Sequence, residues 1–300
     1  MRVSLGATAA LTIALLSCES WSADVDFVTL AVESRTGTAV VVRVNPDDVL
    51  VFKGADPYML HGRRLIISAR TVRVDEPFTI QQFDDSDTPA FKMGLAKQPP
   101  TKPKARRSSG RNGADGDEGT QGNQGEQGDS GKNAPMIVLD VEEVLGAGVL
   151  KIVNAGGTGG QGQQGSQGGT GGAGEEGANG SEAGGGCKAG GAAGGYGGRG
   201  GTGGTGGTGG TGGNGGTVKL SAAAKQAMDS TRIVVDVRGG SGGQPGIGGP
   251  KGEGGSGGAG GRGTFLHCGK GSGRPSRGDG LPGDGGKAGD KGKPGQIVML

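Results

Sequence analysis

Gly201-Thr-Gly-Gly-Thr-Gly-Gly-Thr-Gly-Gly-Thr-Gly-Gly-Asn-Gly-Gly216 repeats with a period of three, and that period decides the fold expected of the chain. The stretch closes a longer array, 156–216, in which every third residue is Gly except for Ala183, Ala189 and Ala192, and which contains no proline. Polyproline II is a left-handed helix with three residues per turn and no internal hydrogen bonds. A period of three gives each sequence position its own side of such a helix. Gly-Gly-X then presents two bare backbone faces and one row of side chains, Thr202, Thr205, Thr208, Thr211 and Asn214. Bare faces let neighbouring backbones approach closely, as unpaired N–H and C=O groups require when they leave water. The expected fold is mainly β plus an extended glycine-rich polyproline-II/polyglycine-II helix bundle. It carries a small N-terminal all-β domain, strand pairs alternating with glycine arrays, and almost no α-helix.

Outward from this stretch the same period recurs. Residues 110–131 form a strict Gly-X-Y run, suited to a bundle edge or a collagen strand, and glycine returns at every third position over 240–261 and 280–295. An array as long as 156–216 is expected to fold back more than once, with reversals at Gly184-Gly-Gly-Cys187 and Gly190-Gly-Ala-Ala193. Short apolar runs separate the arrays: Met136–Leu139, Val149–Val153, Thr217–Leu220, Arg232–Val237 and Ile297–Leu300. These read as strands that fix where each extended segment begins, with a short Ala-rich turn after Leu220. Residues 24–96 form the all-β domain. Phe27–Val32, Ala39–Val44, Val49–Phe52, Leu65–Ile67, Val72–Val74 and Phe78–Ile80 are its strands, separated by Gly, Asn, Asp and Pro turns.

Composition bounds the rest. Glycine takes 75 of 300 positions and aromatics only 3%, and six aromatics fall between Phe27 and Phe91, so one conventional core is expected, near the N-terminus. The net charge of +2 argues for neither a specific nucleic acid nor a membrane surface as partner. Arg2 followed by apolar Val3–Leu16 reads as an export signal, 1–23, too short to span a bilayer. Leu15-Leu16-Ser17-Cys18 also fits a lipobox, with the signal ending at 17 and Cys18 the lipidated N-terminus. Cleavage after Ser22 or Ala23 would instead release a soluble chain.

Cys187 and Cys268 remain. In an exported, core-poor chain they suggest a disulfide, with free thiols or a link between chains as the alternatives. The linker 97–109 is stiffened by proline and carries Lys102, Lys104, Arg106 and Arg107, a candidate electrostatic foot on an anionic surface or simply a solvated spacer. The Gly-X-Y segment 110–133 and the alternating strands and arrays of 134–300 complete the division.

Catalytic chemistry is thin. His61 reads as a surface or cap residue, His267 lies beside Cys268 but lacks a third partner within sequence reach, and matches to Gly-x-Gly-x-x-Gly carry no information in a chain this rich in glycine. Asp84-Asp85-Ser86-Asp87 offers oxygens for calcium without the loop spacing, so a polar loop is the plainer reading. Arg277-Gly278-Asp279 matches an adhesion tripeptide that such a composition produces by chance. No enzyme, cofactor or metal site is expected.

The Gly-Gly-X arrays with two cysteines resemble the polyproline-II bundles of snow flea antifreeze proteins and the glycine-rich bundle at the tip of some phage tail adhesins. The alternation of strand pairs with arrays is similar to exported bacterial glycine-rich, collagen-like proteins. Beyond the glycine positions and the Thr row, the resemblance implies no functional residues. It implies an exported scaffold, at the cell envelope or secreted, presenting a rigid face to a surface polymer, an envelope component or another protein. The alternatives are an ice-binding protein using the Thr row and a collagen-like trimeric stalk; outside the collagen reading a monomer is expected. Proline at X and Y, which collagen needs in abundance, is absent from 110–131 and 156–216.

Overall fold

The computed structural model describes residues 22–33, 35–54, 57–89, 111–265 and 268–300. Its regular elements run β1 (Asp24–Asp26), α1 (Phe27–Glu33), β2 (Arg35–Thr36), β3 (Ala39–Arg43), β4 (Val49–Phe52), β5 (Tyr58–Met59), β6 (Arg64–Val74) and β7 (Phe78–Gln81). After a 3-10 turn at Asp85–Asp87 come β8 (Ile137–Leu145), β9 (Leu150–Val153), β10 (Ser181–Ala183), β11 (Gly186–Ala189) and β12 (Thr217–Leu220). α2 (Ala222–Asp229), β13 (Ile233–Asp236) and β14 (Gln296–Met299) complete the order.

The strands build two principal sheets. One has eight strands in the path β1-β4-β6-β8-β12-β14, with β3 also on β6 and β2 on β3; the other has the order β13-β9-β7-β5. Every pairing in them is parallel except β2 with β3. Alternating burial along β6 and β8 turns one row of Val, Ile and Leu inward. Leu65, Ile67, Ile137, Leu139, Val218 and Leu220 from the first sheet join Phe78, Ile80, Leu150, Ile152 and Ile233 from the second in one buried cluster. Phe27, Phe52, Tyr58 and Phe78 pack its end, with Phe27 stacked 4.7 Å from Phe52 and edge-on to Tyr58 and Phe78.

This architecture corrects the expected fold class. The regular elements are strands in mostly parallel sheets plus two helices among the described residues, an α/β-type arrangement and not a polyproline-II/polyglycine-II helix bundle. Mainly β holds in part. Residues 24–89 do not form a separate all-β domain either, because β6 pairs along β8 and β7 along β9, so both sheets and their core continue into the second half of the chain. The reason is where apolar side chains lie. The glycine arrays have few apolar side chains to bury, so the short runs between them pair with one another and with β6 and β7 of the N-terminal part.

Two local readings change as well. Phe27–Val32 is helical because the Asp26 carboxylate accepts from the Thr29 N–H at 3.0 Å, and Phe27 and Ala31 then share the face turned to the core. The Ala-rich turn is α2, capped by the Ser221 hydroxyl, with Ala224 and Ala227 buried.

The glycine runs carry almost no regular elements; they are legs held sideways by backbone hydrogen bonds. The first leg (111–135) leads into β8, the third (190–216) into β12 and the fifth (269–295) into β14; the second (154–180) leaves β9 and the fourth (237–263) leaves β13. The first, third and fifth legs therefore continue one sheet, and the second and fourth continue the other. Strand register passes straight into leg register: Ile137 pairs with Val218 and Val218 with Ile297, while Gly122 N–H donates to Thr202 O and Gly203 N–H to Leu281 O.

The third leg is central. Gly204 donates to Ser166 of the second leg, Gly203 to Leu281 of the fifth, and Thr202 O and Gly204 O accept from Gly122 of the first and Gly249 of the fourth. Four neighbours require two bare faces, which is why this leg reads Gly-Gly-Thr. A Cβ on Gly203 would lie 2.0 Å from Gly249 O, and one on Gly204 1.9 Å from Asn123 O. The first leg, at an edge, needs glycine only at every third position. Prolines fall between donors: Pro245 lies between Gly243 and Gly246, and Pro282 between Gly280 and Gly283. The array 156–216 reverses once, not repeatedly. The β10–β11 hairpin turns at Gly184 and Gly185, whose φ of 63° and 78° suit glycine, and the Gly190–Ala193 segment runs on in the third leg.

Candidate functional site: the outer face of the legs

The side-chain row of the third leg lies on the outer face of the layer formed by the first, third and fifth legs. Thr202, Thr205, Thr208 and Thr211 are half-buried and Asn214 is exposed. Their position follows from the backbone: both glycine faces of the leg are occupied by neighbours, so the third position can only face out. On one side runs the first-leg row Gln121, Gln124, Gln127, Ser130 and Asn133, all exposed. Ser130 Oγ lies 2.9 Å from Thr211 Oγ1, and Asn133 Oδ1 accepts the Asn214 N–H at 2.7 Å. On the other side runs the exposed fifth-leg row Leu281, Asp284, Lys287, Asp290 and Lys293, with Lys293 N–H donating to Asn214 Oδ1 at 2.9 Å. The face is thus hydroxyl and amide along two rows and charged along the third. Side-chain amide and carboxylate oxygens replace missing neighbours for the outward N–H groups, as Asp115 Oδ1 does for Tyr196 N–H at 2.8 Å.

At the end of the row far from the sheets, the same phase holds Tyr196 and Arg199. Arg274 lies 4.9 Å from the Tyr196 ring centroid and donates to its hydroxyl at 2.8 Å, and Arg277 lies 5.5 Å from the ring. Arg277 also pairs with Asp115 at 2.6 Å, bridging the fifth and first legs across the third. Asp115, Asp117, Glu118 and Arg277 line an open cavity of about 350 Å³ beside it. Sequence reading singled out the Thr row and missed this cluster. The available signal was that Tyr196 shares the phase of Thr202, but its partners lie in legs distant along the chain.

Arg277-Gly278-Asp279 is engaged internally. Arg277 holds Asp115, while Asp279 accepts the Gly254 N–H at 3.0 Å and pairs with Lys251 at 2.9 Å. The Gly254 bond and then Lys251 hold its carboxyl below the usual carboxylate range. Cys187 and Cys268 are joined by a disulfide, which ties the β10–β11 hairpin to the connection between the fourth and fifth legs. Cys18, Lys102, Lys104, Arg106, Arg107 and His267 lie outside the described residues.

Among the described residues, one group of side chains has metal-ligating spacing. Ligand atoms of His61, Asp84 and Asp87 lie within 4.8 Å of one another. They sit at the edge of the second sheet, where the β5–β6 turn meets the 3-10 turn. No described helix is long and apolar enough to cross a membrane.

Neither a protein-family model nor a curated protein matches the chain. Among solved structures, the nine polyproline type II helical bundle antifreeze protein of the springtail Granisotoma rainieri, whose crystal waters match the ice lattice, aligns at 26% identity over 59% of this chain and 95% of its own. Its TM-score is 0.14, and a superposition that poor carries no argument about fold or function.

Proposed function

We propose that the chain is a non-enzymatic, exported structural scaffold that presents the outer face of its first, third and fifth legs to a surface polymer, an envelope component or another protein. The observation that carries this reading is the lateral locking of three legs in one direction, which fixes three rows of side chains side by side. Glycine N–H groups that would otherwise seek water are bonded leg to leg, so ordering this face adds little entropic cost when a partner binds. The disulfide supports an oxidising, extracytoplasmic location.

The test is binding of the purified full chain to isolated envelope or extracellular matrix of its source cells. A Thr202→Lys/Thr205→Lys/Thr208→Lys variant that keeps the wild-type melting temperature should lose binding, while Thr158→Lys on the second leg should not. Binding that is absent, or indifferent to the row, would overturn the proposal.

Ice binding is the second reading, favoured by the regular outward Thr row. It ranks lower because Asp284, Lys287 and Asp290 border that row with strongly hydrated charges. Thermal hysteresis of the full chain decides it. A collagen-like trimer ranks last, since the glycine N–H groups a triple helix would share between chains are bonded within this one.

A further inference from the structure

We infer that His61, Asp84 and Asp87 form a binding site for a divalent transition-metal ion that fastens the second sheet to the end of the first glycine leg. The three side chains come from two chain segments. His61 is, with Gly62, one of two left-handed residues in the β5–β6 turn, with φ 48°, while Asp84 caps and Asp87 ends the 3-10 turn after β7. His61 Nδ1 lies 2.9 Å from Asp87 Oδ2, and the three ligand atoms fall within 4.8 Å of one another. Bonds of about 2 Å from one ion to an imidazole nitrogen and two carboxylate oxygens need only a small contraction from that spacing.

Donor chemistry selects the ion class. One imidazole and two carboxylates without sulfur suit zinc, cobalt or nickel better than calcium, which takes oxygen ligands. The His61 side chain is 42% exposed, so water completes the coordination sphere. The Asp87 side chain is only 7% exposed, and its second oxygen, Oδ1, is held by Lys132 Nζ at 3.1 Å. Lys132 thus leaves Oδ2 for the metal and orients the carboxylate, an outer-shell role. Its positive charge also limits affinity. Lys132 closes the first leg just before β8, so an ion on Asp87 stiffens the contact between that leg and the turns of the second sheet. Binding replaces the His61–Asp87 hydrogen bond.

Titration of the full chain, freed of metal with a chelator, with Zn²⁺ alone in a calorimeter tests the site. One ion per chain is expected, with saturable binding retained in Asp85→Asn and weakened at least about tenfold in His61→Asn, a change that tolerates the left-handed turn. Co²⁺ alone, added to the unmutated chain, should broaden amide resonances of Gly62 and Phe83 first. The proposal is overturned by an absence of saturable binding, by binding that His61→Asn leaves unchanged, or by broadening centred elsewhere.

Discussion

Replacing Gly207 by Ala places a methyl group between the third leg and the first. The added Cβ would lie 1.9 Å from Glu126 O and 2.7 Å from its carbonyl carbon, both backbone atoms that cannot rotate away. The legs must separate, straining Gly207 N–H→Gln163 O and Gly246 N–H→Gly207 O, each 2.8 Å long. Overpacking costs about 1–3 kcal/mol and each lost hydrogen bond about 0.5–1.5 kcal/mol, so the expected loss is roughly 2–6 kcal/mol. That is a large part of the ~5–15 kcal/mol by which domains are stable. Gly285 supplies the control. It lies on the open side of the fifth leg, its added Cβ would meet its nearest atom at 3.9 Å, and its φ is not left-handed. Gly285→Ala should be neutral or stabilise by up to about 1 kcal/mol, through a restricted unfolded chain. Denaturant midpoints of the two variants, measured with wild type, give both numbers. Equal midpoints for the two, or a Gly207→Ala loss under about 0.5 kcal/mol, would refute lateral locking of the legs.

Further outcomes follow from other contacts. Reduction of Cys187–Cys268, which closes a loop with a sequence separation of 81, should lower stability by about 2–5 kcal/mol, read from melting with and without reductant. Asn154 is fully buried at the junction of β9 and the second leg, where its amide donates to Pro135 O and Thr217 O; Asn154→Ala should cost about 1–3 kcal/mol in denaturant unfolding. Burial opposes ionisation of Asp87, but hydrogen bonds from His61 and Lys132 outweigh it and hold its carboxyl below the usual range. A depressed carboxyl stabilises the fold above its unfolded value near pH ~3.9 and loses that contribution as pH falls through the folded value. Acid titration of stability should therefore fall more steeply below about pH 4 in wild type than in Asp87→Asn.

Much of the local structure is legible in the sequence, and its pairing is not. Short runs rich in apolar and β-branched residues at Ala39–Val44, Val49–Phe52, Phe78–Ile80 and Val149–Val153 mark strands, and each coincides with one. Phe27–Val32 misleads because Val28, Thr29 and Val32 are β-branched, while the deciding bond from Asp26 lies outside the run. Leu65–Ile67 and Val72–Val74 read as two strands but join in β6, whose Arg70 pairs with Glu142 across to β8. The glycine phase shows which faces are bare, but not how many times the chain turns back. Gly190–Ala193 resembles a reversal, yet Gly191 and Gly194 already donate to Gly269 and Ser272 in leg register. Likewise the Thr row is visible as a period, whereas Tyr196, Arg277 and Asp115 meet only once three separate legs are side by side. Long-range partners of side-chain-free segments leave no trace in local composition.

Amide hydrogen exchange over Gly201–Gly216 is the most direct test of the locked legs. The N–H groups of Gly203, Gly204, Gly206, Gly207, Gly209 and Gly210 all donate to neighbouring legs, so they should exchange as slowly as Val218 and Leu220 in β12. Exchange at the rate of an unstructured glycine peptide across this stretch, with β12 protected, would contradict the account.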